Sequence, residues 1–407
     1  MINISRRQFI HSTLLSCAGL LSPRPLKSLA GRTSAYSQKI SSPEHRFRVL
    51  ADLHAHPMLN DWVRRSPLAV KSPRLATIIE NIANTTSVKW KSCHQAGIDL
   101  VCAAHFSVFD ELASMPTDPN PEAPANTLRM MDLMEEELAG PAAPYARLAR
   151  NHKELHDLLK ARRGHKDFRV AVLHAIEGGQ ALGGSLEPLG VFARRGVAYI
   201  TLTHFLYKGI AASAVSFPFF PDTESRWPNQ GLTEFGVELI KEMEKLGIIA
   251  DVKHCSSTAV EDVLRVAKKP ISSTHSSVRT LADHPYSLFD EHIQEIARRG
   301  GIIGVFLSPF SLSNYSNPQI AKDYGTLRDV IRTIRHITKI CGTHKHVGIG
   351  SDFAGYVSGP KEMSDLGEID ILRNKLLVEF DNDEAVVEDI MANNAIEFIL
   401  KNWRAGT

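Results

Sequence analysis

Eight short runs rich in β-branched and apolar residues, at 48–54, 99–105, 168–176, 197–203, 247–253, 270–274, 301–307 and 346–351, recur along the chain with helical patterns between them. That alternation is what a parallel sheet buried on both faces requires, because each crossover helix covers part of one face. Eight strands close such a sheet into a (β/α)8 TIM barrel, an α/β fold that holds 407 residues around one core. Segments 235–246 and 258–267 carry apolar positions three and four apart and read as helices of the outer ring.

Composition excludes several classes. A chain that is 43% hydrophobic and 23% charged has the material for a large core and is not a disordered chain. The formal net charge is +2, but Arg6, Arg7, Arg24 and Lys27 lie at the start with no acid among them, so the remaining body is slightly acidic. Without a basic stripe there is no electrostatic footprint for nucleic acid.

The start, Ser5-Arg6-Arg7-Gln8-Phe9-Ile10, precedes an apolar stretch at 13–21 that is too short to span a bilayer. This looks like a twin-arginine export signal over residues 1–30, followed by a linker at 31–45 and one catalytic domain at 46–407, and implies a periplasmic protein. Leu14-Leu15-Ser16-Cys17 also resembles a lipoprotein processing site, in which Cys17 would carry lipid and hold the protein at a membrane surface. Cys93, Cys102, Cys255 and Cys341 show no CxxC spacing, so they read as buried free thiols and not as a zinc knuckle or disulfide framework. Segments 116–124 and 205–231 read as loops, the second, with Pro218, Pro221 and Pro228, as a pocket wall.

The strand ends carry the chemistry. Side chains alternate along a strand, so His54 and His56 of Asp52-Leu53-His54-Ala55-His56 point to one side and can share a metal ion. The other runs end on Glu177, on His254 after Asp251-Val252-Lys253, on His275 and on Asp352. Five such strand ends converging at one barrel mouth suit zinc, through neutral imidazole and carboxylate. With one or two ions, two being favoured, Glu177 is the candidate bridge, His54 and His56 serve one ion, and His254 with His275 the other. Two ions would acidify a water and polarise the scissile carbonyl, while Asp352 takes and returns its proton. The same parity turns His174 away from Glu177 towards the helices, and His105 reads as a pocket-lining residue.

These residues resemble the membrane dipeptidase (renal dipeptidase) family of zinc enzymes on (β/α)8 barrels, from about Asp52 to Asn402. The most specific segments are Ile176-Glu177-Gly178-Gly179, Tyr199-Ile200-Thr201-Leu202-Thr203-His204, Gly231-Leu232-Thr233-Glu234-Phe235-Gly236, Asp251-Val252-Lys253-His254, His275-Ser276-Ser277 and Gly350-Ser351-Asp352-Phe353. The resemblance implies that Glu177 bridges two metals, that His254 and His275 complete one metal's shell, that His204 holds substrate or tetrahedral intermediate, and that Asp352 handles the proton. It also implies a homodimer, for which no interface is readable.

Two positions depart from the family. His56 stands where the family usually has aspartate, which makes the site about one unit more positive. Tyr286 stands where the family commonly places an arginine that grips the substrate's terminal carboxylate, and Arg279 is the nearby cation that could reach the same group. The leading reading is therefore hydrolysis of a dipeptide-like small molecule. A different small amide, lactone or ester, and a silent ligand-binding barrel, stay open beside it.

Overall fold

Nine strands form one parallel sheet in the order β1 (Ala51–Ala55), β2 (Leu100–His105), β4 (Val170–Glu177), β5 (Val197–Thr201), β6 (Ile249–Asp251), β7 (Ser272–Ser276), β8 (Ile302–Phe306) and β9 (Val347–Gly350), with β3 (Ala146–Leu148) pairing β4 off that path. The computed structural model describes residues 49–66, 77, 86–114, 117–164, 166–214, 230–308, 312 and 325–406. The expected export signal, the linker and the middle of segment 205–231 lie outside the described residues.

The eight strands of the main path fall within the eight runs read from the sequence, give or take a residue or two at the ends. They curl until the first meets the last. Ala55 bridges Phe353, the His56 amide donates to the Phe353 carbonyl at 2.9 Å, and the Asp352 amide donates to the His54 carbonyl at 2.8 Å. The barrel is thus nearly closed, and its closure brings the ends of β1 and β9 together. The extra strand β3, Ala-Arg-Leu, is too short to show a period of its own.

Every residue of β4 is buried, which explains why it reads as a nearly continuous apolar run and not as an alternating one. Helices cover the outside. Helix α3 (Glu234–Leu246) starts where Thr233 accepts a hydrogen bond from the Gly236 amide, and stops at Gly247 in the left-handed region. Helix α4 (Ser257–Val266) is capped by Ser256 and buries Val260, Val263 and Leu264 in the core. Two earlier helices matter below: α1 (Val108–Ala113), just after β2, and α2 (Ala123–Ala139). Cys93, Cys102 and Cys255 are buried thiols and Cys341 is half-buried, all unbridged. Among the described residues no helix is long and apolar enough to cross a membrane.

Candidate active site

At the C-terminal ends of the strands, where barrels present their loops, the Glu177 carboxylate sits among imidazoles. Its Oε1 lies 3.2 Å from His254 Nε2 and 3.4 Å from both His54 Nε2 and His275 Nε2, while Oε2 lies 3.4 Å from His56 Nε2. Asp352 Oδ1 closes the far side, 3.1 Å from His56 Nε2 and 3.9 Å from His54 Nε2. All six residues are buried. The sheet therefore gathers all five expected ligands and the expected proton carrier in one cluster. The division between two ions is less tidy than the sequence suggests, because His54 faces the same Glu177 oxygen as His254 and His275.

Backbone conformation aims two of these groups. His254 (φ 66°) and Asp352 (φ 57°) are in the left-handed region, which costs a non-glycine residue energy and is held here by the surrounding structure. Beside Asp352, a Cβ on Gly355 would fall 2.1 Å from Asp352 Oδ1 and 2.5 Å from the His56 ring, so only glycine lets these two side chains meet.

The donor set fits metal. His54 Nε2 and His56 Nε2 are 3.0 Å apart, and His254 Nε2 and His275 Nε2 are 3.2 Å apart. Two unprotonated ring nitrogens at that distance repel each other unless a cation sits between them. For His54 the tautomer follows from its neighbour. The Tyr199 hydroxyl donates to the Leu53 carbonyl at 2.8 Å, so at 2.7 Å it accepts from His54 Nδ1, leaving Nε2 to face the cluster. Three triads bring ligand atoms within 4.8 Å of one another: His54, His56 and Glu177; His54, His275 and Asp352; and Glu177, His204 and His254.

Electrostatics agree. Burial holds the His254 and His275 imidazoles well below their ordinary range, aided by the charge of His204 on the first and of His54 on the second, so both are neutral and ready to ligate. Burial also works against charge on His54 and His204, but nearby carboxylates outweigh it: Glu177 foremost for His54, Glu111 foremost for His204. Glu177 is itself held well below the usual carboxylate range, since the surrounding imidazoles, His204 and His54 first, overcome its burial. Beneath the cluster, Asp251 accepts from Thr201 Oγ1 at 2.6 Å and from the Thr274 amide and hydroxyl at 2.9 Å. Asp52 accepts from the Ser351 hydroxyl and, at 2.8 Å, from its amide, locking β1 to β9.

His204 reaches the cluster by a route the sequence did not show. Parity with Ile200 and Leu202 reads as turning it inward, but Thr201 is the β5 residue that pairs with Glu177, so Ile200 faces the other way, and β5 ends before His204; Glu111 on α1 places it instead. Glu111 Oε2 accepts from His204 Nδ1 at 2.8 Å, and its Oε1 accepts from the amides of Phe205 and Leu206 at 2.6 and 2.8 Å. His204 Nε2 then stands 4.0 Å from Glu177 Oε2.

Two expectations at the margin, His105 and Arg279, resolve differently. His105 does not line the mouth: in the β2–β4 register Ala103 lies beside His174, which turns both histidines outward, and His105 Nε2 meets His174 Nδ1 at 2.8 Å. His174 faces the helices as expected, 3.4 Å from Glu135 on α2. Arg279 is not brought to the cluster, because its Nε pairs with Asp283 at 2.6 Å and its NH1 donates to the His284 carbonyl at 2.9 Å, both in its own loop. Tyr286 is brought near, its ring 6.1 Å from that of His254. Lys253, only a motif letter in the sequence, is 2% exposed with Nζ 4.4 Å from the centre of the Tyr286 ring. Burial lowers it to about 8, against the pull of Asp352, Glu177 and Asp251, which leaves it charged at neutral pH.

The model of the membrane dipeptidase family (peptidase family M19) matches residues 75–403. An uncharacterized dipeptidase of Schizosaccharomyces pombe is 31% identical over 239 residues, covering 58% of this chain and 53% of that protein. Dipeptidase aclJ of Aspergillus oryzae is 30% identical over 280 residues, covering 68% of this chain and 61% of that protein. The match thus spans little more than half the length of these curated relatives. Among solved structures, a metallo peptidase from Rhodobacter sphaeroides liganded with a phosphinate mimic of the dipeptide L-Ala-D-Ala superposes with a TM-score of 0.67 at 20% identity, covering 88% of this chain and 100% of that one. At that identity the likeness establishes the shared fold.

Proposed function

Because this chain belongs to the membrane dipeptidase family, we propose that it hydrolyses the amide bond of dipeptides or dipeptide-like small molecules with two divalent metal ions, zinc by preference. The observation that carries the reading is the Glu177 carboxylate, whose two oxygens face four imidazole nitrogens at 3.2 to 3.4 Å. His54, His56, His254 and His275 would hold the ions with Glu177 between them, and a nitrogen-and-oxygen donor set of this kind suits zinc. Bound there, the ions would supply Lewis acidity towards the scissile carbonyl and make a water acidic enough to attack near neutral pH.

The chain's own residues do the rest. Asp352, 3.1 Å from His56 Nε2 at the edge of the cluster, takes the proton of the attacking water and delivers it to the leaving amine as the C–N bond breaks. His204, kept oriented by Glu111, whose carboxylate favours its charged form, donates from Nε2 to the carbonyl oxygen as negative charge develops on it. The burial of the cluster strengthens each of these interactions by excluding water. Asp352→Asn separates the roles: the variant is expected to keep its metal and to lose dipeptide hydrolysis by at least about 100-fold, the usual weight of a general base. Metal retained with hydrolysis intact would remove Asp352 from the mechanism.

We also propose that residues 1–30 direct export through the twin-arginine route, on the strength of Arg6-Arg7 ahead of the apolar stretch. Arg6→Lys with Arg7→Lys is expected to leave the protein in the cytoplasm on cell fractionation; unchanged export would overturn this.

A further inference from the structure

The cluster leaves one buried cation without an assignment. Lys253 follows Asp251 by two residues at the end of β6, and its Nζ has no hydrogen-bond partner among the described residues. What surrounds it is two ring faces, Tyr286 at 4.4 Å and Phe306 at 5.1 Å from their centres. A cation gains from aromatic faces, but three ammonium hydrogens with no acceptor are a larger debt than two rings return. The three carboxylates that act on it are already engaged. Glu177 faces the imidazoles, Asp251 is tied to Thr201 and Thr274, and Asp352 faces His56. An anion that arrives with the substrate would satisfy the ammonium.

Position says which anion. Lys253 is adjacent in sequence to His254, and the Tyr286 ring that receives the ammonium also stands beside the His254 ring, at 6.1 Å. The cation therefore flanks the metal cluster on the side of His254 and Tyr286. Arg279, the other cation considered for this task, is held by Asp283 and by the His284 carbonyl.

We propose that Lys253 binds the C-terminal carboxylate of the substrate and so restricts the enzyme to peptides with a free carboxyl end. The proposal rests on the dipeptide reading above and adds its specificity determinant. A charge-assisted contact with a compact ammonium replaces bidentate recognition, and Tyr286 serves as the apolar floor that holds the ammonium in place.

The test compares alanyl-alanine with its C-terminal amide on metal-loaded wild-type protein and on Lys253→Met, with metal content verified for both. Wild type is expected to favour the acid, and the ratio of acid to amide kcat/KM is expected to fall about 10- to 100-fold in Lys253→Met, mostly through KM. Lys253→Arg keeps the cation and is expected to keep a preference for the acid, which covers the case in which the methionine variant does not fold. A wild-type ratio near one, or an unchanged ratio in Lys253→Met with metal in place, would overturn the proposal. If wild type cleaves neither compound, the dipeptide reading fails separately, and calorimetric binding of the same pair decides: tighter binding of the acid by wild type, lost in Lys253→Met, supports the carboxylate site, and equal binding of acid and amide overturns it.

Discussion

Glu111 provides the sharpest test of how the site is positioned. This buried carboxylate makes three hydrogen bonds: Oε2 accepts from His204 Nδ1, and Oε1 accepts from two consecutive backbone amides. Glu111→Gln keeps the shape and one oxygen. The amide oxygen goes to the Phe205 and Leu206 N–H groups, which need an acceptor, and the NH2 group then points at His204. Two donors cannot face each other, so His204 gives up its Nδ1 proton and loses the cationic form that Glu111 sustains. The loss is that of a hydrogen bond to a charged group, about 1.5–3 kcal/mol, or roughly 10- to 150-fold in kcat/KM for a dipeptide. Stability should change little. Glu111→Ala, by contrast, strips the half-buried Phe205 amide and the buried Leu206 amide of their acceptor, at about 1–3 kcal/mol each, and should lower stability by about 2–6 kcal/mol. Steady-state kinetics and urea unfolding of both variants separate the outcomes. A glutamine variant with wild-type kcat/KM, or one as unstable as the alanine variant, would refute the reasoning.

Three further outcomes follow from the same geometry. Gly350→Ala would place a Cβ 1.8 Å from the Thr274 carbonyl oxygen, a backbone clash no rotamer relieves, so unfolding should show a loss of about 1–3 kcal/mol or more. Arg279→Ala should leave KM for dipeptides unchanged, since its guanidinium is spent within its own loop; a rise in KM would return Arg279 to the site. Metal binding should weaken on acidification: His54 in the metal-free site is raised above 6.5, so its proton stabilises the metal-free fold fully below that pH, and this contribution is lost as pH rises through the raised value. Metal occupancy runs the other way, and the gain in Tm on metal loading should shrink as pH falls towards about 6 and grow above neutrality.

What the sequence made legible follows from strand geometry. A period of two decides which side a residue faces, and this turns His54 and His56 to one side and His174 away from Glu177, as the packing has them. Where the regular strand stops, that rule stops. His204 lies past β5 and is held by Glu111, 93 residues earlier in the chain, a contact with no local pattern to announce it. His105 illustrates the opposite error: it ends its strand in a suitable place, but the register with β4 gives it the parity of Ala103 and so the helix side. Lys253 sits in plain view within Asp251-Val252-Lys253-His254, yet its significance depends on the absence of an acceptor around Nζ among the described residues, which only three-dimensional packing reveals.

The supporting layer was legible in part. The Asp52 and Asp251 carboxylates lie in the motifs that carry the ligands, but the sequence does not distinguish a ligand from a buried acceptor. Their hydrogen bonds to Ser351, Thr201 and Thr274 do so, because each is already satisfied by hydroxyl and amide donors away from the imidazoles.

The most direct test of the central claim is elemental analysis of the purified protein, free of its first 30 residues, paired with hydrolysis of a small dipeptide panel before chelation, after chelation and after zinc is restored. The account predicts about two divalent ions per chain and cleavage that disappears with the chelator and returns with zinc. Dipeptide cleavage that survives complete removal of metal, or protein that takes up no metal at the Glu177 cluster, would contradict it.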